Sequence, residues 1–431
     1  MISYFLAYLC PLCAALSARH WYTDNMESTA EALRDTKGRF QKRDTGFMQL
    51  FISKRLIHGA AAALAGIFVP IFLYETAIAR EFVNPFFIVG GYYALLSLLY
   101  AILLVPSMSV TNRLGFSKTL VLSGICSIIT YIFLFYLTPE NILTLMWPLA
   151  ATIVAFRLFH WVPFHTDFAL FTTAGKRGKQ VSLSFAAIAF MGAIGPIAAG
   201  FIIANAGYTA LFGTIIVLLV AASISYAYVP ETMTHFDWSW KETWRQFRSK
   251  DRRGLMVGEF ANGAETIVNI IVWPIFLYTI LDGDLFSIGA ISTIIVGVTI
   301  VLQLLLGRYL DGKGHDKTRT LKVGSFLYAI GWILKIFVLS AAQVFFVGLY
   351  HNIVRIFSHT PFSAIVYDMS ADQGSLVDEY TVIREMANHF GRSSALIGVA
   401  ILTLYIPIGW TFFIAVAASL ALNMVYTAQR A

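Results

Sequence analysis

Stretches of about twenty predominantly apolar residues recur along this chain, the length a helix needs to cross roughly 30 Å of hydrocarbon at 1.5 Å per residue. They fall near 56–75, 86–106, 118–137, 142–166, 181–204 and 208–229, then near 255–280, 286–307, 319–340, 343–367, 382–404 and 407–427. Within a bilayer every backbone N–H and C=O must find its partner inside the protein, so spans of this length are helices. The pattern predicts an all-α polytopic membrane protein with 12 transmembrane helices. Composition agrees: 58% of the 431 residues are hydrophobic and 13% are charged, about half the roughly 25% of a soluble protein.

The formal net charge of +7 raises nucleic acid as a partner, but the positive residues lie between apolar runs, as expected of a membrane protein held by anionic headgroups. Of the 31 Lys and Arg, all but Arg80, Arg157, Lys335, Arg355, Arg384 and Arg392 fall in alternate loops and tails. The excess of positive residues on one side predicts that both termini face the cytoplasm, in a plasma (inner) membrane protein. No nucleic-acid partner is expected, and a monomer is.

Three cysteines, Cys10, Cys13 and Cys126, cannot build a disulfide framework, and Cys10-Pro11-Leu12-Cys13 lacks a second Cys or His pair. No metal or cofactor is expected. No Lys or Arg precedes the apolar stretch at Ile2, so the start does not read as a signal peptide; residues 1–17 read as a helix in the membrane interface. The chain divides into an N-terminal extension at 1–54, six spans at 55–229, a polar linker at 230–253 and six more spans at 254–431. In the linker Trp238, Trp240 and Trp244 alternate with Lys241, Arg245 and Arg248, which suits a helix resting on the inner headgroups.

The two sets of spans carry an internal repeat. Pro70-Ile71-Phe72-Leu73-Tyr74 reappears as Pro274-Ile275-Phe276-Leu277-Tyr278, and Arg157-Leu158-Phe159 followed by Pro163-Phe164 matches Arg355-Ile356-Phe357 followed by Pro361-Phe362. Gly115 and Gly314 correspond in the loops between them. Because six is even, both copies enter from the same side, which predicts two pseudo-symmetric six-helix bundles around an axis along the membrane normal.

Between the eighth and ninth spans Gly307, Asp311 and Gly314 are followed by His315 and Lys317; between the second and third, Arg113 and Gly115 stand, with Met108 for the first glycine and Asn112 for the acid. These residues resemble the signature of the major facilitator superfamily, Gly-x-x-x-Asp-Arg/Lys-x-Gly, intact in spacing in the second copy and degraded in the first. The resemblance implies that fold, transport by alternating access, and a cytoplasmic gating motif at Asn112, Arg113, Gly115, Gly307, Asp311 and Gly314. Asn112 can accept a hydrogen bond but cannot give the charge-assisted version, which is roughly twice as strong. Gly192, Gly195-Pro196 and Gly200 look like a partial antiporter motif of the family, although small residues equally serve close helix packing.

A charge at mid-membrane costs at least about 2.5 to 3.5 kcal/mol, so intramembrane ions are functional candidates. Glu259, Asn262, Glu265 and Asn269 are spaced to share one face of the seventh span, with Glu265 near its middle. Arg157 with His160, and Arg355 with His351, form comparable stripes in the fourth and tenth spans. The resemblance implies that spans one, four, seven and ten line a central cavity, which would gather these residues around one pocket. Lys335 reads as snorkelling to the headgroups, Arg384 and Glu385 as anchoring the inner mouth, and Arg392 with His389 and Asn388 as a pairing or gating group.

These residues favour a secondary active transporter of a small organic solute, proton-coupled through Glu265, with the paired arginines suited to an anion. A structural reading in which Glu265 only neutralises an arginine competes with it. A lipid or amphipathic-drug exporter of the same fold would use Phe156, Phe159, Trp161 and Phe164. A receptor of transporter shape, or a membrane enzyme using His160, His165 and Asp167 or His351 and His359, has less behind it, because the histidine spacing does not align metal ligands on a helix.

Overall fold

The computed structural model describes residues 45–171, 177–232, 236–310, 317–371 and 377–428; the interfacial helix expected at 1–17 lies outside them. Every element among these residues is helical. In chain order they are α1 (Thr45–Ala79), α2 (Pro85–Leu114), α3 (Phe116–Phe135) and α4 (Ile142–Phe171). The run Arg177–Tyr226 is divided by Gly207, at φ 75° and ψ 176°, into α5 (177–206) and α6 (208–226). Then come α7 (Trp240–Phe247), α8 (Lys250–Ile280), α9 (Leu285–Leu310), α10 (Lys317–Ile336), α11 (Ala341–Ala371), α12 (Val377–Leu402) and α13 (Ile408–Val425).

Eight stretches among the described residues are long and apolar enough to cross a membrane, with α5 and α6 counted together in Ala186–Tyr226. Helices α10, α11 and α12 have the length, at 20, 31 and 26 residues, but not the uniform apolarity. The reason is in their sequences, since α11 and α12 carry His351, Arg355, His359, Arg384, Glu385, His389 and Arg392. Several of their polar groups are turned inward to partners on α8, as the site below shows.

Among the described residues α1 is already helical at Thr45, ahead of the apolar run, so that Lys54, 7% exposed, and Arg55 are part of the helix. It contains a π-helical stretch at Phe51–Ile57, and α8 has another at Val268–Val272; such wide turns often mark functional positions in helices. Pro85 at the first turn of α2 follows Asn84, whose side chain caps the helix by accepting from Phe87 N at 2.8 Å. The same amide donates to Thr403 O at 3.0 Å, tying the start of α2 to the end of α12.

Packing pairs distant parts of the chain. Helix α12 lies along α2 on one side and α8 on the other, α9 lies along α5, α3 along α4, and α10 along α11. Two reciprocal glycines set the α8–α12 crossing: a Cβ on Gly263 would stand 1.9 Å from Asn388 O, and one on Gly391 would stand 1.9 Å from Phe260 O. Only glycine allows backbones this close, the contact by which membrane helices associate. The same explanation accounts for two positions of the antiporter-like stretch, where Gly195 abuts the backbone of Ala63 and Gly200 that of Leu285, whereas Gly192 has open space beside it.

The repeat seen in the sequence is also a contact. Tyr74 and Tyr278, last residues of the two matching pentapeptides, meet edge to face with centroids 6.1 Å apart. The Asn84–Thr403 bond is a second contact between the first and second sets of helices.

Candidate functional site

The polar residues chosen from the sequence do not form one group. They fall into separate clusters distributed over α2, α4, α8, α10, α11 and α12.

The deepest is built on Glu265 of α8, which is 0% exposed. Its Oε1 accepts from Tyr328 Oη of α10 at 2.5 Å, and its Oε2 stands 3.2 Å from His359 Nε2 of α11. Arg355 lies in electrostatic reach of both Glu265 and Tyr328. A buried carboxylate needs such partners, because an unpaired charge in a medium of low dielectric is costly. His351 does not reach the acid; it packs on Tyr328 at 4.5 Å and Trp332 at 4.7 Å, and both its ring nitrogens are buried without a hydrogen bond among the described residues.

Beside this cluster Lys335 departs from expectation. Its side chain does not snorkel to headgroups but is 1% exposed, with Nζ 4.2 Å over the ring of Trp273 and 4.1 Å over that of Trp332. Asn269 Oδ1 accepts from it at 3.3 Å. Two indole faces and one amide oxygen replace the headgroup water that the ammonium would otherwise seek.

A second cluster joins α8 to α12. Glu259 Oε1 receives Arg384 Nε at 2.9 Å and Nη2 at 2.8 Å, while Oε2 accepts from Asn262 Nδ2 at 3.1 Å. Arg384 therefore holds an acid of α8 rather than simply anchoring the end of α12. About two turns further along α12, Arg392 Nε donates to Asn388 Oδ1 at 2.8 Å. The residues expected on one face of α8 serve different neighbours: Glu259 turns to α12, Glu265 to α10 and α11, and Asn269 to α10.

Arg157 of α4 stands apart from Glu265 and Arg355. The groups in its electrostatic reach are Arg392 of α12 and Tyr92, Tyr93 and Tyr100 of α2. Its neighbour along the stripe, His160, points elsewhere: it is buried, its Nδ1 lies 3.2 Å from Ser123 Oγ, and its ring stacks on His58 at 5.1 Å. Beyond it Lys54 Nζ sits 5.0 Å over Trp161 and Arg55 sits 4.7 Å over Phe164. Phe156 stacks on His58 and Phe164 is 1% exposed, so these two aromatics serve internal packing. No group of three metal-ligating side chains occurs among the described residues.

At the linker end, Asn112 of α2 pairs with the backbone of Phe236, donating from Nδ2 to its O at 3.0 Å and accepting from its N at 3.2 Å. Gly115, at φ 82°, turns the chain between α2 and α3, and a Cβ there would meet Glu231 Oε1 at 2.1 Å. Glu231 in turn accepts from Ser117 N at 3.3 Å, and Thr232 donates to Asp167. Arg113 is exposed. Gly307 falls in the last turn of α9, while Asp311 and Gly314 lie outside the described residues.

Sequence reasoning missed Tyr328, Tyr92, Tyr100 and Lys54. The three tyrosines stand in apolar runs where one hydroxyl leaves no periodic signal, and Lys54 fell on the polar side of the hydropathy boundary.

Comparison with known proteins follows the same lines. The family model of the Major Facilitator Superfamily matches residues 55–377. Among solved structures, a peptide transporter, POT, in complex with sulfate is similar at a TM-score of 0.65 and 11% identity, covering 90% of this chain and 95% of that one. The E. coli fucose:proton symporter FucP is similar at 0.58 and 12% identity, covering 89% and 98%. The human organic anion transporter MFSD10 (TETRAN) is similar at 0.61 and 12% identity, covering 89% and 99%. No curated protein matches the chain by sequence.

Proposed function

Because this chain belongs to the Major Facilitator Superfamily, a family of membrane transporters rather than enzymes, we propose that it is a secondary active transporter of a small, anionic organic solute, driven by protons. The observation that carries the reading is Glu265. A fully buried acid shared by Tyr328 and His359, with Arg355 in reach, has more than one way to be neutralised. Proton and cation compete for the same oxygens, so a change in how α10 and α11 meet α8 exchanges one for the other. That exchange is the elementary step by which a proton gradient does work on a conformational equilibrium.

In this reading α1–α6 and α8–α13 are two bundles of six, related by the repeat, with α7 and its flanks as a cytoplasmic linker. Both termini are cytoplasmic in the plasma membrane. The contacts of Tyr74 with Tyr278 and of Asn84 with Thr403 then belong to the closed outer face, and alternating access requires them to part. The working unit is one chain, and its partners are solute, protons and lipid. Among the similar structures one is described as a proton symporter and one as an organic anion transporter, in keeping with this assignment. The aromatic run of α4 is partly spent on packing, which gives a lipid or drug cargo less support.

The test is transport in proteoliposomes with an imposed proton gradient, using a solute found by ligand-dependent thermal stabilisation. Glu265→Gln should abolish proton-driven accumulation and spare exchange. Accumulation equal to wild type would remove Glu265 as the coupling acid.

A further inference from the structure

The anionic half of the reading above leaves a question that chemistry can answer: which residues hold the anion? Symmetry suggests Arg157 and Arg355 as equivalents, yet their surroundings differ. Arg355 lies among partners that already use its charge, the carboxylate of Glu265 and the hydroxyl of Tyr328. Arg157 has no such partner: among the described residues no acid, hydrogen bond or ion pair accompanies its guanidinium.

What surrounds Arg157 is a set of donors lacking acceptors. The hydroxyls of Tyr92 and Tyr100 are both buried and make no hydrogen bond among the described residues. Both side chains are enclosed, at 6% and 0% exposure, and both lie in electrostatic reach of Arg157. Buried polar groups are bonded in the great majority of cases, so two orphaned hydroxyls beside an unpaired arginine call for an explanation. Facing them from α12 is Arg392, a like charge that repels Arg157. The other charged or titratable groups nearby are Glu385, which lies in electrostatic reach of Arg392 and Tyr100, Glu259, which reaches Arg392 but is held by Arg384, and His389, whose ring packs tilted on Tyr100 at 4.0 Å. Neither acid is among the groups in reach of Arg157, and Tyr100 faces Glu385 without meeting hydrogen-bond geometry.

We infer that Arg157, Arg392 and the hydroxyls of Tyr92 and Tyr100 form the seat for an oxyanion of the transported solute. Resting on the transport reading, this assigns the anion to α2, α4 and α12 and leaves the Glu265 cluster to the proton. A carboxylate or phosphate-type group supplies what the site lacks: acceptor oxygens for two hydroxyls and a negative charge between two guanidinium forks. Because Arg157 belongs to the first half of the chain and Arg392 to the second, a bound oxyanion converts their repulsion into a bridge. Solute binding then favours whichever state brings α4 and α12 closest, which is the differential affinity that a moving equilibrium requires.

The experiment is thermal unfolding of the purified full chain in a neutral maltoside detergent. Acetate, benzoate, sulfate and inorganic phosphate are each titrated at constant ionic strength against chloride. At least one oxyanion should raise Tm saturably. Arg157→Gln and Arg392→Gln should weaken its apparent affinity by roughly tenfold or more, the scale of losing a hydrogen bond to a charged group, and by more than Arg355→Gln does. Tyr92→Phe and Tyr100→Phe, which remove an oxygen and keep the ring, should each weaken it without loss of folding. Arg157→Lys keeps the charge and should bind more weakly than wild type but better than Arg157→Gln. The inference is overturned if no oxyanion stabilises the protein beyond chloride, or if the stabilisation ignores Arg157→Gln and Tyr92→Phe. It is overturned equally if phosphatidylglycerol, but no small oxyanion, stabilises in an Arg157-dependent manner. Since this measures binding without a gradient, it can fail while proton-driven uptake through Glu265 stands, and the reverse.

Discussion

Asn112 grips the backbone of Phe236 at both its N–H and its C=O, so the position where the family signature carries an acid is occupied by an amide that pairs with the linker. A carboxylate there could accept from Phe236 N but would face Phe236 O with a second acceptor. An amide at this position thus suits the backbone of Phe236, which it meets in a neutral two-bond contact.

Asn112→Asp, which restores the residue of the signature, should therefore weaken the protein. The Phe236 carbonyl loses its donor, and an unpaired buried acceptor costs about 1 to 3 kcal/mol. Differential scanning calorimetry should show a lower Tm than wild type, and proteolysis should cut more readily around residue 236. A Tm equal to or above wild type would mean that the linker contact contributes nothing.

The Glu259–Arg384 pair offers a double-mutant cycle. Removing one partner of a buried ion pair costs roughly 3 to 5 kcal/mol because the other charge is stranded, whereas replacing both with apolar residues is often neutral. Glu259→Met and Arg384→Met should each lower Tm, and the double variant should recover much of the loss. Additive losses would show that the two side chains do not depend on each other.

Lys335 is held by aromatic faces and a neutral amide, with no carboxylate at ion-pair distance among the described residues. Lys335→Met, which keeps an unbranched chain between Trp273 and Trp332, should leave Tm within a few degrees of wild type. Lys335→Ala should cost more, about 2 to 5 kcal/mol if the cavity does not collapse. Equal losses for the two variants would assign the stabilisation to the ammonium.

Helix α7 depends on its start. Ser239 Oγ accepts from Glu242 N at 3.2 Å, and Ser239→Ala should cost about 1 kcal/mol of local stability, seen as faster amide exchange across residues 240–247. The Gln246 amide, with Arg245 adding to it, holds the Glu242 carboxyl below the usual carboxylate range. A depressed value means that the support from Glu242 is present at neutral pH and is lost as pH falls through that value. Circular dichroism alone would not resolve one short helix, so residue-level exchange at several pH values is the measurement that decides it.

Much of the architecture is legible because hydrocarbon imposes one length scale. The long apolar helices and the matching pentapeptides follow from hydropathy and simple comparison, and Tyr74 meets Tyr278 edge to face. The site is legible by residue but not by grouping. Helical spacing places Glu259 and Glu265 on one face, yet which neighbour each one meets depends on crossings set by Gly263 and Gly391. The repeat also misleads: Arg157 and Arg355 share a place in it, and both have tyrosines in reach, but no acid stands to Arg157 as Glu265 does to Arg355. Lys335 and Lys54 escape because hydropathy scores a lysine as polar whether its ammonium reaches headgroups or indole rings.

Phe236 and its successor answer to different masters. While Phe236 is fastened to Asn112 on α2, Asp237 N donates to Glu379 Oε1 on α12 at 3.2 Å. Successive Cα atoms are only about 3.8 Å apart, so a leash one residue long has almost no slack. If the mouths of α2 and α12 drift apart by more than that, one knot slips. The linker is then a fuse as well as a connection, and whichever bond breaks first fixes which helix carries the strand away.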